Sequence, residues 1–350
     1  MSNLYLDISV IQTLGANCVN RDDTGSPKTV EYGGVTRARV SSQAWKHAMR
    51  NMFTDLFADD DMGKRTKKIV KLVANEISEL APKLSENDIS KMAFTALENA
   101  GIKVKKEGVS DVLVFFSNKQ AKALAELAVN KVEDKKKYVE AFKNNPSYDM
   151  TLFGRMVAAD AGLNIDAASQ VAHAISTHAV HNEYDYFTAV DDLNKESSES
   201  GAGHIGVAEF NSSTLYRYAT VNIDELKKNH PGHEADIVNG FIEAFIRSMP
   251  SGKGNSYANT TLPEFVYVTI RKDQPVSFVG AFENPVKSMG EGFVKPSIER
   301  LEKYSKKVYE DYCGEPYKAF AIGNKFEGAE KLNKKKLLEK VREIISEEVK

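Results

Sequence analysis

Cysteine is scarce in this chain of 350 residues, and no stretch is apolar over a membrane-spanning length. Cys18 and Cys313 are the only two cysteines and lie almost at opposite ends, which suits reduced thiols better than a disulfide framework. The amino-terminal MSNLYLDISV has neither a basic region nor a long apolar run, unlike a signal peptide. We expect a cytoplasmic protein that does not enter a membrane.

A surplus of positive charge is also missing. Lys and Arg total 47 against 49 Asp and Glu, which leaves a net charge of −2. Attraction of polyanions by the field of the whole molecule is therefore excluded, and any nucleic-acid site must be a local patch. The length allows one elaborated domain or two ordinary ones, each with a substantial core.

Two glycine-rich segments fail as cofactor motifs. GAGHIG (201–206) matches G-x-G-x-x-G, but a Ser-rich segment precedes it and an alternating strand pattern follows, which indicates hairpin glycines. SGKGNS (251–256) has glycine where a phosphate loop needs Ser or Thr, and Arg247 stands at the upstream glycine position. Its lysine and asparagine can still contact a phosphate, or the segment is an ordinary turn.

Metal chemistry has little support. His173, His178 and His181 do not share one helix face and have no cysteine pair nearby, so a zinc site is not expected. Asp22 and Asp23 can hold Mg²⁺ for phosphodiester cleavage, but adjacent aspartates in a loop are more often turn formers or arginine partners. We expect neither a metal nor a cofactor.

The spacing of apolar residues predicts an α+β chain. Residues 3–14 alternate as in a half-buried strand, residues 30–40 form a second extended segment, and Ser42 is the predicted N-cap of the next helix. Helical patterns dominate residues 64–177, and strand-like composition returns after Tyr184, where FVYVTI and VSFVGAF are predicted to pair. This order is compatible with a ferredoxin-like or RRM-like sheet that carries a helical insertion.

The segment GGVTRARVSSQAWKHAMR at residues 33–50 concentrates positive charge. At about 100° per residue its helix has an apolar face, formed by Trp45, Met49, Met52, Phe53 and Leu56. The opposite face is formed by Gln43, Lys46, His47 and Arg50. Residues 21–50 contain six Lys and Arg against three acidic residues. Two interpretations remain open: a solvated helix face, or a surface that binds nucleic-acid phosphates.

Eight segments, taken in order, closely resemble the CasC family, the repeated backbone subunit of the type I-E CRISPR Cascade complex. These are NRDD (20–23), the segment 33–50, FGRM (153–156), VAHAISTH (171–178), FTAVDD (187–192), EFNSSTLYRYA (209–219), SGKGNS (251–256) and QPVSFVGAFE (274–283). The resemblance runs nearly from end to end.

The resemblance implies a modified RRM-like (ferredoxin-like) palm from residues 1–60 and 215–350. A helical fingers insertion is implied at 61–185 and a β-hairpin thumb at 186–214. Copies would stack in a helical filament along CRISPR RNA, with each thumb reaching the next copy and displacing one base at regular intervals. Other Cascade subunits and target DNA, paired to the guide, are the further implied partners. The aromatic signature of RRM domains is absent, so base stacking on the sheet is not implied.

The RNA-binding candidates come from the resemblance and from the local charge. Carried over by position, the resemblance implies guide contacts at Asn20, Arg21, Lys28, Ser42, Gln43, Lys46 and Arg50, and apolar contacts near the displaced base at Ile175 and Phe210. To these we add Arg37 and Arg39 of the basic segment, Lys253 and Asn255 of the glycine-rich loop, and His204 of the hairpin.

The expected function is that of a non-catalytic subunit. The main alternative is a metal-dependent endoribonuclease backbone of the type III kind, with Asp22 or Asp23 as the reacting aspartate. A generic single-stranded RNA-binding protein is a weaker alternative, because aromatic stacking signatures are missing.

Overall fold

The computed structural model describes residues 3–105, 108–110, 112–157, 161–189 and 204–349. These residues form two compact units. The first unit comprises Met1–Met49, Val171–Thr220 and Phe245–Glu339, and the second comprises Arg50–Gln170, Val221–Ala244 and Lys340–Lys350. The mixture of strands and helices confirms the α+β class.

The strands are β1 (Tyr5–Asn17), β2 (Thr29–Tyr32), β3 (Val35–Val40), β4 (Gly63–Thr66), β5 (Val114–Ser117), β6 (Ser169–Val171), β7 (Ala174–Ser176), β8 (Glu183–Ala189), β9 (His204–Asn222), β10 (Phe265–Arg271), β11 (Lys318–Ile322) and β12 (Glu330–Lys331). The helices are α1 (Ser42–Leu56), α2 (Ile69–Leu80), α3 (Glu86–Asn99), α4 (Asn118–Val129), α5 (Lys135–Lys143), α6 (Tyr148–Phe153), α7 (Ile223–Asn229), α8 (Glu234–Arg247), α9 (Gly254–Tyr257), α10 (Val294–Val308) and α11 (Lys334–Glu348). None of the described helices has the length and apolar character needed to cross a bilayer.

The first unit is built on a mixed sheet with the strand order β12-β11-β10-β1-β9-β7-β3-β2. Strand β1 is antiparallel to β10, and β10 is antiparallel to β11, while the short β12 runs parallel to β11. The predicted pairing of FVYVTI with VSFVGAF is therefore wrong. The second of these segments instead contains a short 3-10 helix at Val279–Phe282, whose Ala281 and Phe282 are buried.

Strand β1 is buried on both faces, which corrects the expectation of a half-buried strand. Asp7 and Ser9 are only 3% and 2% exposed. Asp7 Oδ1 accepts a hydrogen bond from the Tyr218 hydroxyl at 2.9 Å, and the Ser9 and Tyr216 hydroxyls lie 3.0 Å apart. Burial raises the pKa of Asp7 to about 6. Polar residues alternate in β1 because they bind polar partners inside the unit, not because they face water.

A hairpin extends from the same sheet. Strand β8 pairs with the first part of β9, from Glu183 opposite Phe210 to Ala189 opposite His204, and every residue of β8 is exposed. The polar segment at 191–203, predicted as the exposed tip, lies outside the described residues.

The second unit is mainly helical, as predicted for this part of the chain. Its core is formed by apolar side chains of α2, α3, α4 and α5, including Val73, Leu97, Leu124 and Phe142. Helix α4 begins with a capping box, in which Ser117 accepts from the backbone N–H of Gln120 and the Gln120 side chain accepts from Ser117 N. The short strands β4 and β5 pair antiparallel, with Arg65 opposite Phe115.

Candidate nucleic-acid interface

Helix α1 begins beside the loop that carries the NRDD motif. Asn20 Oδ1 accepts a hydrogen bond from Ser41 N at 2.8 Å, and Ser41 Oγ accepts one from Ala44 N at 3.3 Å. Ser41, and not the predicted Ser42, is therefore the N-cap. The first turn of α1 contains no acidic residue, so the positive end of the helix dipole is not neutralised within that turn.

The two faces of α1 follow the predicted division. Trp45, Met49 and Phe53 are at most 1% exposed, while Met52 and Leu56 are half-buried. On the other face Gln43 and His47 are exposed, and Ser42 and Lys46 are half-buried.

A buried arginine of β9 fixes the first half of α1 on the sheet. The Arg217 guanidinium lies 3.6 Å from the Trp45 ring centroid and 4.4 Å from that of Phe245. It also donates to the Gln12 side chain and, at 2.5 Å, to the carbonyl oxygen of Phe245. Burial lowers the pKa of Arg217 to about 9. Cation–π contacts and hydrogen bonds together hold Trp45, and hence the start of α1, in one position.

The NRDD loop is closed by its own hydrogen bonds. Asp22 Oδ1 accepts from Thr24 N, Thr24 Oγ1 and Ser26 N, at 3.0, 2.7 and 3.0 Å. These bonds, that of the Thr24 hydroxyl first, hold the pKa of Asp22 below its usual value. The Asp22 carboxylate thus acts as a turn former in this loop, and the neighbouring Arg21 is left exposed.

Lys28, Arg39 and His173 meet at the edge of this loop. Arg39 N donates to the Lys28 carbonyl oxygen at 2.9 Å, and Arg39 Nε donates to that of Thr29 at 3.1 Å. Arg39 Nη1 lies 3.3 Å from His173 Nδ1, which accepts because arginine can only donate. Burial and the charges of Arg39 and Lys28 lower the pKa of His173. Pairing of β3 with β7 brings His173 to Arg39, so the sequence alone suggests only the possible zinc ligand considered above and not this contact.

The glycine-rich loop packs directly against the NRDD loop. A Cβ at Gly252 would lie 2.3 Å from the carbonyl oxygen of Val19, so only glycine permits this approach. The next residue, Lys253, has a φ of 45°, in the left-handed region that non-glycine residues seldom adopt. Asn255 is exposed. An open hollow of about 510 Å³ lies against the two loops, lined by residues 19–25 and Gly252.

Four cations of this region have no direct acidic partner among the described side chains, although Asp22 and Glu209 lie near enough to act on Cys18. Burial raises the pKa of the Cys18 thiol, while the positive charges of Lys253 and Arg21 act in the opposite direction. Within the described residues, no acidic side chain forms an ion pair with Arg21, Lys28, Arg39 or Lys253. We call Arg21, Lys28, Arg39, His173 and Lys253 the loop surface. These cations, together with the hydroxyl and amide donors Ser42 and Gln43 at the start of α1, suit phosphate oxygens.

Arg37 does not belong to the loop surface. It is fully buried and donates to the carbonyl oxygens of Tyr32, Ser176, Phe282 and Glu283, at 3.1, 3.0, 2.9 and 3.2 Å. Its guanidinium is used inside the first unit and is not available to RNA, contrary to the expectation from the sequence.

Arg50 is also committed to the protein. Its Nε donates to Asp149 Oδ2 at 2.9 Å and its Nη2 to the Gly63 carbonyl oxygen at 3.2 Å, within the second unit. The Arg50 side chain is 18% exposed and that of Asp149 is fully buried. The ion pair with Asp149 disfavours the predicted phosphate contact of Arg50. Helical spacing alone could not reveal this buried carboxylate partner.

The three hairpin and strand candidates differ in accessibility. Ile175 is 8% exposed and pairs with Arg39 and Tyr216 in the sheet, which leaves little of its side chain for a base. Phe210 is half-buried, with its ring centroid 6.0 Å from that of Tyr257. His204 is the first residue of β9, and its side chain lies outside the described part of the chain.

Metal ligands are not gathered at the loop surface. Among the described residues, no group of three or more His, Cys, Asp or Glu side chains is arranged to hold a metal ion.

The comparisons with known proteins cover the chain from end to end. The model of the CT1975-like protein family matches residues 6–349. A chain of a "CRISPR RNA-guided surveillance complex, pre-nicking" is 30% identical with a TM-score of 0.80, over 98% of this chain and 99% of that one. A chain of a second "CRISPR RNA-guided surveillance complex" is 24% identical with a TM-score of 0.73 at the same coverage, and supports the fold. No curated protein matches. The chain belongs to the CT1975-like family.

Proposed function

We propose that this chain is a non-catalytic backbone subunit of a type I-E CRISPR surveillance complex, of the CasC kind. The observation that carries the proposal is the similarity to a chain of a CRISPR RNA-guided surveillance complex, over 98% of this chain and 99% of that one. The similarity extends over nearly the whole of both chains and is not confined to one domain.

The loop surface is the proposed grip on the guide. Lys28, Arg39 and Lys253 supply charge, while the start of α1 supplies Ser42, Gln43 and backbone N–H groups. These groups suit a sugar–phosphate backbone of any sequence. Guide bases then remain available for pairing with target DNA, so that pairing reads the sequence and protein reads the backbone.

The hairpin of β8 and β9 is the proposed thumb, within residues 186–214. Its exposed apolar side chains include Tyr186, Phe187, Ile205 and Val207, at 63%, 43%, 58% and 61% exposure. A ribbon of this kind suits burial against another molecule, here the next copy in a filament. The palm at 1–60 and 215–350 and the fingers at 61–185 complete the proposed division. Other Cascade subunits and target DNA are the further proposed partners, in cytoplasmic antiviral defence.

The enzymatic alternative assigns RNA cleavage to Asp22 or Asp23. Asp22 Oδ1 already accepts three hydrogen bonds of its own turn, which favours a structural role. The test is incubation of the assembled complex with complementary RNA and Mg²⁺. We expect the RNA to remain intact, and periodic cleavage that Asp22→Asn or Asp23→Asn abolishes would overturn the non-catalytic assignment.

The test of the proposed function is the nucleic acid that accompanies the full-length chain when it is purified from cells that carry a CRISPR array. We expect a uniform small RNA with repeat-derived ends. A heterogeneous mixture of cellular RNAs, or no RNA, would contradict a guide-binding role. Lys28→Gln with Arg39→Gln is the matched variant, and we expect it to carry less RNA.

A further inference from the structure

In the second unit two arginines lie within cation–π distance of the same aromatic ring. Arg65 of β4 stands opposite Phe115 of β5 in the register, and its guanidinium carbon lies 4.6 Å from the ring centroid. The Arg50 guanidinium carbon lies 4.7 Å from the same centroid. Phe115 is 5% exposed, so both cation–π contacts are made to a buried ring.

The only carboxylate in this cluster is already saturated. Asp149 Oδ2 accepts from Arg50, and Asp149 Oδ1 accepts from Gly63 N at 3.0 Å and from Ser147 Oγ at 2.7 Å. A Cβ at Gly63 would lie 2.6 Å from the Phe115 ring, so glycine is required for this close packing. Two arginines against one aspartate leave one positive charge in excess, and Arg50 is the arginine that pairs with Asp149.

Arg65 carries that excess charge at the surface. It is exposed, and within the described residues no hydrogen bond or ion pair reaches its guanidinium. Burial of part of the side chain and the nearby charge of Arg50 lower the pKa of Arg65, while the charge of Asp149 acts in the opposite direction. An anion placed against the guanidinium would relieve the repulsion between the two arginines, since opposite charge favours the charged form.

Two more cations lie within three residues after Arg65. Lys67 and Lys68 are exposed, and neither forms a described hydrogen bond or ion pair through its ammonium group. Lys64 is different, because strand alternation places it on the other face of β4, where its charge acts on Glu76. The same alternation does not place Lys68 beside Arg65, so we call Arg65 and Lys67, two residues apart, the strand surface.

We propose that the strand surface is a second anion-binding site, which takes phosphodiester groups of a nucleic-acid strand. Arginine presents a planar fork that matches phosphate oxygens, and the stacking on Phe115 holds that fork in one orientation. The choice of nucleic acid over an acidic protein rests on the proposed function, in which the complex holds both guide RNA and target DNA. Binding at this site is independent of base identity, because charge and backbone geometry are all it offers.

The test compares the full-length chain with the double variant Arg65→Gln, Lys67→Gln. Binding of single-stranded RNA and single-stranded DNA of one length and sequence is followed by fluorescence anisotropy over a range of NaCl concentrations. We expect about a fivefold loss of affinity for at least one strand, and a salt slope smaller by about 1.4, because each phosphate contact contributes about 0.7. Loss for RNA alone identifies the guide as the ligand, and loss for DNA alone identifies the target strand.

The control is Lys83→Gln, Lys91→Gln, which removes the same charge from two other exposed lysines of the second unit. A polyglutamate peptide is titrated in the same way as a probe for an acidic protein partner. Equal losses of affinity in control and test variants, no loss for either nucleic-acid strand, or a loss of affinity for the peptide alone would each overturn the proposal. Arg65→Lys keeps the charge without the planar fork, and we expect an intermediate affinity. If Lys28→Gln with Arg39→Gln abolishes RNA binding while the strand-surface variant binds normally, this proposal fails and the proposed function stands. Matched thermal unfolding curves establish that each variant is folded.

Discussion

An inner and an outer arginine occur together in each unit, and the two inner arginines are held by different partners. In the first unit Arg37 is buried among four carbonyl oxygens, and Arg39 of the same strand lies at the loop surface. In the second unit Arg50 binds the carboxylate of Asp149, and Arg65 lies at the strand surface.

The difference concerns how charge is compensated. Carbonyl oxygens satisfy the donors of Arg37 but carry no net charge, so burial lowers the pKa of Arg37. In the second unit Asp149 cancels one of two positive charges. Both arrangements assign the inner arginine to stability and leave the outer arginine for a ligand. Substituting the inner and the outer arginines separately tests whether their roles differ in this way.

The largest effect is expected from the inner arginine of the first unit. Arg37→Ala leaves buried carbonyl oxygens without donors, so we expect the free energy of unfolding to fall by about 4 kcal/mol. Arg39→Ala is the matched control on the same strand, with an expected loss below about 1 kcal/mol. Urea unfolding of both variants measures the difference. Equal losses would show that burial does not distinguish the two arginines.

Sequence alone could not separate Arg37 from Arg39. Both lie on one side of an alternating segment, yet the backbone around Glu283 covers only Arg37. A Cβ at Gly33 would lie 1.7 Å from the Glu283 carbonyl oxygen, which shows how closely the two distant segments pack. Such a contact, between residues about 250 positions apart in the chain, leaves no local pattern.

Sequence patterns predict the features that are formed by residues close together in the chain. The apolar face of α1 was predicted because helical spacing decides which side chains share a face, and Trp45, Met49 and Phe53 are indeed buried. Arg21, Lys28 and Arg39 of the loop surface could be grouped from the sequence because they are close along the chain, whereas His173 and Lys253 come from distant segments. The strand surface was not, because Phe115 reaches Arg65 only through the pairing of β4 with β5.

The second largest effect is expected at the inner arginine of the second unit. Arg50→Ala leaves the buried Asp149 carboxylate without its cation, so we expect the free energy of unfolding to fall by about 3 kcal/mol. His47→Ala, at an exposed position of the same helix, is expected to change it by less than about 0.5 kcal/mol. A loss of RNA affinity in Arg50→Ala without a loss of stability would restore Arg50 to the RNA-binding site.

The loop surface as a whole is tested by Lys28→Gln, Arg39→Gln and Lys253→Gln in one chain. We expect RNA affinity to fall on the order of 100-fold at low salt, and the salt slope to fall by about 2, because three phosphate contacts of about 0.7 each are removed. The fall should be the same for every RNA sequence, since the backbone is what is bound.

Its control removes three exposed lysines elsewhere in the first unit, with Lys287→Gln, Lys303→Gln and Lys335→Gln. The net charge changes equally in both chains. A similar loss in the control would show that RNA responds to overall charge and not to the loop surface.

The smallest effect is expected from His173, the one titratable residue of the loop surface near neutral pH. Burial, Arg39 and Lys28 lower its pKa in the free chain below the ordinary value of 6.5. A bound phosphate would raise that pKa, so the bound chain takes up a proton that the free chain does not hold. RNA affinity should therefore rise as the pH falls below about 6.5, by about threefold for a partial change in protonation. His173→Gln is expected to remove this rise, and His47→Gln, at an exposed position of α1, to retain it. A rise of equal size in His173→Gln would place the titrating group elsewhere and leave His173 outside the RNA contact.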